Sequence, residues 1–318
     1  MDIESLKAVI PAAGKGIRLA ELTRKHSKVM LKFNGKPLLW HTLNSLKEIG
    51  IRNIIIIVGY KGDEIINYFS SNMLGLNITY VKDERMAGTA TAIKAAENEI
   101  ESTFLMIFGD VFPESGLLRS LIKKHMSIKK KIGSRIAATL SVTKVDDPHN
   151  HAPILFDTNE EVIEIWSSRS MWVDMGIMML EPVVFKAINH TPLVRGEYRI
   201  LKSISIVMKW GYRVFAYKSS YPWIQIGDHT RIMSLINVND YFLNRARINN
   251  YIEDSFIHNS RLFKTSVIKS KIINSELSHC IVYEGAEIIS SSLKNCVINE
   301  GIRLRNVRGE NKIFSTNL

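Results

Sequence analysis

The chain has 318 residues, 46% of them hydrophobic, and a formal net charge of +11 at pH 7. A chain of this length suits one large α/β domain with a smaller appendage. It shows neither a signal-peptide pattern nor an apolar run long enough to span a bilayer, so we expect a cytoplasmic protein without membrane association.

Neither the cysteines nor the positive charge indicates a specialised class of protein. Cys280 and Cys296 are too few for a disulfide framework, so we expect reduced core residues, and no Cys/His cluster has zinc-binding spacing. The basic residues are spread along the chain with one compact run at 129–131, and no aromatic-interleaved RNA motif accompanies them. We therefore expect phosphorylated small molecules rather than nucleic acid as partners.

The first predicted element is a buried strand that leads into a glycine-bearing loop. Lys7–Ile10 is a short apolar run, and the loop at 11–16 reads Pro-Ala-Ala-Gly-Lys-Gly. Loop N–H groups can donate to anionic oxygens, and Lys15, Arg18 and Lys28 add positive charge nearby. The segment fits neither a dinucleotide fingerprint nor a Gly-Lys-Ser/Thr phosphate loop, so a phosphate cradle and a simple tight turn both remain open.

Helices and strands then alternate along the chain. Helical apolar spacing over 38–49 ends at Gly50, and the isoleucine-rich run at 53–58 predicts a strand buried on both faces of a parallel sheet. A helix through Phe69 and a strand at 78–81 complete a βαβαβ pattern. Right-handed crossovers place the loops of this pattern at the carboxyl ends of the strands, where open α/β sheets bind ligands.

Two loops at predicted carboxyl ends carry polar residues. The first, at 83–90, leads into an alanine-rich helix predicted over 91–99, with Thr89 as a candidate N-cap. The second follows a predicted strand at 104–108 and contains Asp110. This Asp is either a turn residue or, at the edge of the sheet, a carboxylate that could hold Mg²⁺.

A different periodicity begins near Tyr251, after a helix predicted over about 229–249. Apolar residues recur every five or six positions, and the sequence from Cys280 resembles the sequence that starts sixteen residues later at Cys296. Such periods predict a parallel β-helix whose coils stack apolar residues inward. The predicted inward positions are Ile252, Ile257, Leu262, Val267, Ile272, Leu277, Val282, Ile288, Leu293 and Ile298.

The order Ala-Ala-Gly-x-Gly-x-Arg-Leu, then a Lys, then Gly-Lys-Pro-Leu-Leu resembles the start of the sugar-phosphate nucleotidylyltransferases. The family's Pro-Lys pair is replaced by Ser27-Lys28, which keeps the lysine. The resemblance implies a Rossmann-like α/β domain with a mostly parallel sheet, which we place at 1–250, and a short left-handed parallel β-helix at 251–318. Because such a tail serves scaffolding or assembly, we expect a homo-oligomer.

The resemblance also implies a nucleoside triphosphate (NTP) as donor. The loop at 83–90 lies against the base in the family, although relatives that use uracil or thymine nucleotides usually carry Gln where Asp83 stands. Arg18, Lys28 and Asp110 would be the catalytic residues. The residues that would contact the nucleotide are Ala12, Ala13, Gly14, Gly16, Asp83, Gly88 and Thr89.

The half that would bind the acceptor departs from the family's pattern. Where the family carries Glu-Lys-Pro, this chain reads Ser-Ser-Arg at 167–169, so the guanidinium of Arg169 would take over the acceptor phosphate. Asp174 replaces the usual Asn of a sugar-contacting strand. Glu197 belongs to a matching Gly-Glu-Tyr, while Lys202 stands where an Asp is frequent. A strand residue and a helix-start Glu also need no ligand, so structural roles remain open for Asp174 and Glu197.

The family resemblance implies Mg²⁺ as cofactor, with Asp110 as one ligand. The second ligand in the family is the Asp of Trp-x-Asp-x-Gly-Thr, and Gln225 holds that place here. An amide oxygen can still ligate Mg²⁺ with less charge than a carboxylate. Asp228 lies three residues later and either ligates the metal or caps the helix that follows.

The predicted reaction is nucleotidyl transfer from an NTP to a sugar 1-phosphate, with release of pyrophosphate. One alternative is a catalytically weak regulatory paralogue that keeps the nucleotide pocket, which the departures at Ser167, Ser168, Lys202 and Gln225 would support. The other is a nucleotidylyltransferase with a non-sugar phosphate acceptor. The sequence specifies neither the NTP nor the acceptor.

Overall fold

The computed structural model describes residues 3–14, 16, 23, 25–69, 73–226 and 231–318 of the chain. Two units of tertiary packing are present, one made of 1–15 and 39–224 and the other of 16–38 and 225–318. The second unit thus combines a segment from near the start of the chain with its C-terminal part. The division at residue 250 stays a prediction.

Helices and strands alternate through most of the chain, and short strands alone form its C-terminal part. The α-helices are α1 Leu38–Ile49, α2 Gly62–Tyr68, α3 Thr89–Ala95, α4 Ser115–Ile132, α5 Val183–Ile188, α6 Ile200–Lys209 and α7 Arg231–Arg245. The strands before α7 are β1 Lys7–Pro11, β2 Lys32–Phe33, β3 Lys36–Pro37, β4 Asn53–Val58, β5 Asn77–Lys82, β6 Phe104–Ile107, β7 Val111–Phe112, β8 Ile136–Lys144, β9 Ile154–Phe156, β10 Val162–Ile165, β11 Trp172–Leu180, β12 Leu193–Val194, β13 Glu197–Tyr198, β14 Arg213–Lys218 and β15 Ile224–Gln225. The strands after it are β16 Tyr251–Glu253, β17 Phe256–His258, β18 Arg261–Phe263, β19 Ser266–Ile268, β20 Lys271–Ile273, β21 Glu276–Ser278, β22 Ile281–Val282, β23 Glu287–Ile289, β24 Ser292–Lys294, β25 Val297–Ile298, β26 Arg303–Arg305, β27 Arg308–Glu310 and β28 Ile313–Phe314.

A mostly parallel sheet forms the centre of the first unit. Its seven strands lie in the order β14-β8-β11-β6-β1-β4-β5, and β11 alone runs antiparallel to its two neighbours. The five residues after Asn53 in β4 are all buried, as predicted for a strand covered on both faces. The predicted Rossmann-like arrangement is confirmed, and the carboxyl ends of β1, β4, β5, β6 and β8 share one edge of the sheet.

One helix boundary confirms the prediction from the sequence, and the bounds of another helix correct it. Helix α1 ends at Ile49, and Gly50 follows with a φ of +96°, a backbone conformation that favours glycine. The helix predicted over 91–99 instead begins at Thr89 and ends at Ala95, and a separate 3-10 helix covers Glu97–Glu99. Among the described residues, no helix is both long and apolar enough to cross a membrane.

A buried polar network holds α4 against the edge of the sheet that is opposite these carboxyl ends. The Glu181 carboxylate accepts hydrogen bonds from Thr103 Oγ1 at 2.8 Å and Lys129 Nζ at 2.9 Å, and it lies 3.0 Å from His125 Nε2. Burial raises the pKa of Glu181, but these donors outweigh it and leave that pKa below its usual value. An ionised carboxylate is tolerated here because each of its oxygens has a partner.

The C-terminal strands form a parallel β-helix, as predicted. Three ladders, β16-β19-β22-β25-β28, β17-β20-β23-β26 and β18-β21-β24-β27, make its three sides. Successive coils pair Tyr251 with Ser266, Ser266 with Ile281 and Ile281 with Val297, so each coil takes 15 or 16 residues. The arrangement is consistent with a left-handed β-helix. Cys280 and Cys296 are free thiols buried in its core, which confirms the prediction of reduced core residues.

In the second unit, residues 25–38 and helix α7 pack with the β-helix. The rings of Phe33 and Phe242 lie 6.1 Å apart, and Ser266 Oγ donates to Asn239 Oδ1 at 2.7 Å. His26 Nε2 lies 2.8 Å from Glu300 Oε1. The segment that carries the predicted catalytic Lys28 is therefore held by contacts with the C-terminal part of the chain.

Candidate functional site

The first loop of the predicted nucleotide site continues directly from β1. Ala12 N donates to Ile57 O at 2.8 Å, and Tyr60 N donates to Ala13 O at 3.1 Å, so both alanines run beside the end of β4. A Cβ on Gly59 would lie 2.7 Å from the Cβ of Ala13. Small side chains at these positions therefore let the two loops meet at the carboxyl edge of the sheet.

Gly14 follows in the same loop and differs from the other glycines there. A Cβ on Gly14 would meet no described atom within 4 Å. The packing of the described chain therefore does not require glycine at this position. A backbone without a side chain, and with no described atom close to it, suits the close approach of a ligand oxygen to a main-chain N–H.

The second unit brings together Gly16 and Lys28. Gly16 has a φ of +61°, and a Cβ there would lie 3.0 Å from Thr23 Cγ2 and 3.3 Å from Lys28 Cβ. Thr23 Oγ1 donates to Gly16 O at 3.0 Å, and Lys28 begins a 3-10 helix that ends at Met30. The predicted catalytic Arg18 lies outside the described residues.

Asp110 lies at the carboxyl end of β6, as the sequence predicts. Gly109 N donates to Pro11 O at 3.1 Å, and Phe108 N donates to Gly176 O at 2.8 Å. The turn that carries Asp110 is thereby fixed between the end of β1 and an irregular part of β11. A half-buried carboxylate at this edge is in a suitable place for a hard cation that also bridges substrate phosphates.

Asp174 is a buried carboxyl group on β11. Its Oδ2 accepts from Gly176 N at 3.1 Å, and its Oδ1 has no hydrogen-bond partner within the described part of the chain. The register of β11 against β8 shifts between Asp174 and Met178, and Gly176 has a φ of +76° where a Cβ would lie 2.4 Å from Phe108. The strand is thus irregular next to Asp174. Burial raises the pKa of Asp174 to about 7 against the lowering effect of the Gly176 N–H.

The raised pKa predicts that Asp174→Asn stabilises the protein at alkaline pH. Because the folded state holds this proton more tightly than the unfolded state, the destabilisation grows as pH rises from 3.8, the ordinary pKa of an Asp carboxyl, and is complete above about 7. The amide cannot ionise, so we expect the melting temperature to rise by roughly 5 °C at pH 8 and by less at pH 5. Exposed Asp146→Asn is the control and should show no such pH dependence. Equal effects of Asp174→Asn at both pH values would contradict the assigned pKa.

Asp83 closes the loop that was predicted to face the base. Its buried Oδ1 accepts from the N–H groups of Arg85 at 3.1 Å and Met86 at 3.2 Å. This carboxylate oxygen therefore fixes the backbone of its own loop. Direct contact between Asp83 and a nucleotide base stays a prediction.

The structure joins the predicted base loop to the predicted sugar segment. A Cβ on Gly88, whose φ is +124°, would lie 2.5 Å from Tyr198 O, and Tyr198 N donates to Ala87 O at 2.8 Å. The expectation that Thr89 caps the helix is wrong, because Gly88 is the N-cap and Thr89 Oγ1 accepts from Ile200 N at 3.0 Å. Glu197, next to Tyr198, is thereby held close to the start of α3.

The two cations of the predicted acceptor half have different surroundings. Arg169 is on the surface with its side chain 70% exposed, and its Nη2 lies 3.1 Å from Glu164 Oε2. Lys202 is on the first turn of α6, and its Nζ lies 4.2 Å from the centroid of the Trp166 ring. Sequence reasoning treated Lys202 only as a departure, because no local pattern shows which ring an α6 lysine will meet.

The predicted second metal position is at the end of β15. Trp223 Nε1 donates to Met175 O at 3.2 Å, which anchors the chain two residues before Gln225. Asp228 lies outside the described residues. The described residues contain no group of three or more His, Cys, Asp or Glu side chains that could hold a metal ion by themselves.

Comparison with known proteins agrees with this geometry. The profile of the Nucleotidyl transferase family matches residues 7–243. This chain belongs to that family. The sequence-based assignment to the sugar-phosphate nucleotidylyltransferases is thus confirmed.

Three similar proteins represent the family. The UTP–glucose-1-phosphate uridylyltransferase AglF of Haloferax volcanii is 28% identical over 218 residues, which cover 66% of this chain and 87% of that relative. The bifunctional protein GlmU of Methanocaldococcus jannaschii is 27% identical over 276 residues, 85% of this chain, and the match spans only 60% of that relative. A Bacillus anthracis protein assigned as a glucose-1-phosphate thymidylyltransferase, crystallised with sucrose, superimposes with a TM-score of 0.63 at 25% identity over 74% of this chain and 95% of its own.

Proposed function

We propose that the protein transfers a nucleotidyl group from an NTP to a sugar 1-phosphate and releases pyrophosphate. The observation that carries this proposal is the turn of Asp110, which hydrogen bonds fix between the end of β1 and Gly176 of β11. It lies at the sheet edge that also carries the open backbone of Gly14 and the buried carboxyl of Asp174. The names of the similar proteins, two of which contain glucose 1-phosphate as the acceptor, support the acceptor class.

The reaction needs positioning and charge stabilisation more than covalent help from the protein. An oxygen of the acceptor phosphate attacks the α-phosphorus of the NTP, and the bond from that phosphorus to the departing pyrophosphate breaks. N–H groups at Gly14 and Gly16 would hold the triphosphate, Arg18 would stabilise the pyrophosphate, and Lys28 would neutralise charge at the α-phosphate. Asp83, Gly88 and Thr89 would form the base side of the site, together with Ala12 and Ala13.

The chain's residues fit a divalent metal ion, and we assign Mg²⁺ to it. Mg²⁺ keeps several waters and is commonly held by one or two carboxylates together with substrate phosphates, so Asp110 can serve as its protein carboxylate. Gln225 would add an amide oxygen. When bound, the ion neutralises negative charge on the phosphates.

The acceptor would bind on the side of β11 and α6. Asp174 and Glu197 would accept hydrogen bonds from sugar hydroxyls, and a protonated Asp174 could also donate one. Arg169 would bind the acceptor phosphate. To do so, its guanidinium would leave the ion pair with Glu164 and form one with the phosphate.

Pyrophosphate release tests this function. The protein is incubated with Mg²⁺, each of five NTPs, and a panel of sugar 1-phosphates extended by choline phosphate and inositol phosphate. Release with at least one sugar 1-phosphate is the expected result. Release only with a non-sugar acceptor would change the substrate class, and NTP binding without any release would favour a regulatory paralogue.

Arg169→Ala is expected to raise the KM for the acceptor roughly 10-fold or more, because a charge-assisted hydrogen bond to the phosphate is lost. The KM for the NTP should stay unchanged. The control is Arg135→Ala, which removes an exposed arginine at the start of β8. An unchanged acceptor KM for Arg169→Ala would disprove this role, and a raised value for Lys202→Ala in the same assay would move it to the lysine beside Trp166.

A further inference from the structure

The inward side chains of the β-helix are covered in every coil except the first. The central residue of each three-residue strand points into the core, and Val267 and Ile272 in the second coil are 0% exposed. Ile252 is in register with Val267, yet it is 50% exposed. Ile257 and Leu262, the central residues of the other two first-coil strands, are only half-buried. The core is therefore open at the N-terminal end of the β-helix.

Unpaired strand edges and two aromatic rings surround this opening. In the described chain, β16, β17 and β18 each have a ladder partner on one side only. Phe256 and Phe263, which flank the central residues, are 57% and 50% exposed. Natural proteins usually protect such edges, because an exposed apolar edge strand pairs readily with another chain. We call Ile252, Phe256, Ile257, Leu262 and Phe263, with the edges of their strands, the open end.

At the other end of the β-helix the inward side chains are covered, although β27 and β28 also have a ladder partner on one side only. Phe314 is 5% exposed, and its ring lies 2.7 Å from where a Cβ on Gly309 would be. Leu318 N donates to Arg303 O and Arg305 N donates to Leu318 O, each at 2.9 Å, so the last residues cover the outer edge of β26. The two ends of the β-helix therefore differ, and a head-to-tail contact would bury fewer exposed inward side chains than a contact between two first coils.

Opposite charges lie at two corners of the open end. The corner between β16 and β17 carries Glu253 and the exposed Asp254. The corner after β18 carries Lys264, whose ammonium contacts the Asn244 side chain. This corner is therefore next to the C-terminal end of α7. The exposed Arg247 follows that helix. Asn259 occupies the third corner, opposite β16.

We propose that the open end is the contact face of a two-fold symmetric dimer of this chain. A two-fold axis through the middle of β16 and the corner at Asn259 places β16 against β16 and β17 against β18 of the second copy. The same axis places the acidic corner of each copy against the basic corner of the other. Both copies use the same surface, so the contact is satisfied by two copies and no further copy can add to it.

The solution mass of the full chain is the first test. The chain mass is 36.2 kDa, and light scattering coupled to size-exclusion chromatography should give twice that value for the unaltered protein. Ile252→Asp should give the monomer mass and still unfold in a cooperative transition, because the replaced side chain is half exposed; its melting temperature should fall by no more than the lost association explains. The matched control is Ile163→Asp, which alters an isoleucine that is 58% exposed in the other unit and should leave the dimer intact.

Charge reversal and cross-linking test the symmetry. Asp254→Lys should weaken dimerisation at least 10-fold, and adding Arg247→Glu should restore it, because each copy contributes both corners. Asn259→Cys should form a disulfide-linked dimer, since the axis brings the two copies of this residue together. Asn274→Cys should not, because Asn274 is at the same corner one coil further in, where its Oδ1 accepts from Asn259 Nδ2 at 2.9 Å.

Three results would overturn the proposal. One is a monomer mass for the unaltered protein at tens of micromolar. Another is a dimer that survives Ile252→Asp. The third is equal cross-linking at Asn259→Cys and Asn274→Cys, which would place another surface at the contact.

Discussion

Lys28→Ala is expected to lower the turnover of nucleotidyl transfer by about 10²–10³-fold, the usual loss when one group that stabilises transition-state charge is removed. Lys28 begins a short 3-10 helix, and its Cβ lies 3.3 Å from where a Cβ on Gly16 would be. The proposal places its ammonium near the α-phosphate, where negative charge accumulates as the acceptor attacks. The measurement is pyrophosphate release at saturating NTP and acceptor.

A matched variant separates this effect from a general loss of positive charge. Lys36 is exposed on β3 of the same unit, and Lys36→Ala should keep normal turnover. Both variants should unfold at the temperature of the unaltered protein. Normal turnover in Lys28→Ala would refute the mechanism proposed for this segment.

Asp110→Asn is expected to lower turnover to a similar extent, about 10²–10³-fold, and to raise the Mg²⁺ concentration needed for half-maximal rate. The amide keeps the shape of the side chain and removes its charge, so the turn between Pro11 and Gly176 should be retained. Titration of Mg²⁺ at saturating substrates measures the second effect.

The control for Asp110 is Asp146→Asn, which removes an exposed carboxylate just after β8. It should leave both turnover and the Mg²⁺ dependence unchanged. If Asp110→Asn were slow but kept the normal Mg²⁺ dependence, the carboxylate would have a role other than holding the metal.

The elements that the sequence predicted are those specified by local patterns. The isoleucine run at 53–58 became a strand buried on both faces, because such a run has no polar face to expose. Gly50 ended a helix since its φ of +96° is costly for other residues. The spacing of Val267, Ile272 and Leu277 gave the β-helix, in which every coil repeats the same inward position.

The features that the sequence did not predict depend on contacts between distant residues. Thr89 has the side chain of a good N-cap, but its hydroxyl accepts from Ile200, which lies 111 residues later in the chain. Lys202 contacts the ring of Trp166 across two elements. The open core beside Ile252 was also hidden, because the sequence period is the same in the first coil as in those that follow.

In the candidate site, too, some residues could be predicted from local patterns and others depend on distant contacts. The glycines and Asp110 could be found because they follow predicted strands directly, and the carboxyl ends of parallel strands share one edge. The raised pKa of Asp174 could not be found from the sequence, because it depends on burial of the carboxyl group and on an Oδ1 that has no partner among the described residues.

The association of residues 25–38 with the C-terminal part of the chain has a consequence for biosynthesis. His26 and Glu300 are 274 residues apart, so the ribosome makes the segment with Lys28 long before it makes the residues that hold it. At about 5–20 residues per second, that interval is roughly 15–55 s. Phe242, the aromatic ring that Phe33 packs against in the finished protein, is made earlier than Glu300, roughly 10–40 s after Phe33 at the same rate. A chain released early would carry the segment without this support, so only full-length synthesis completes the second unit.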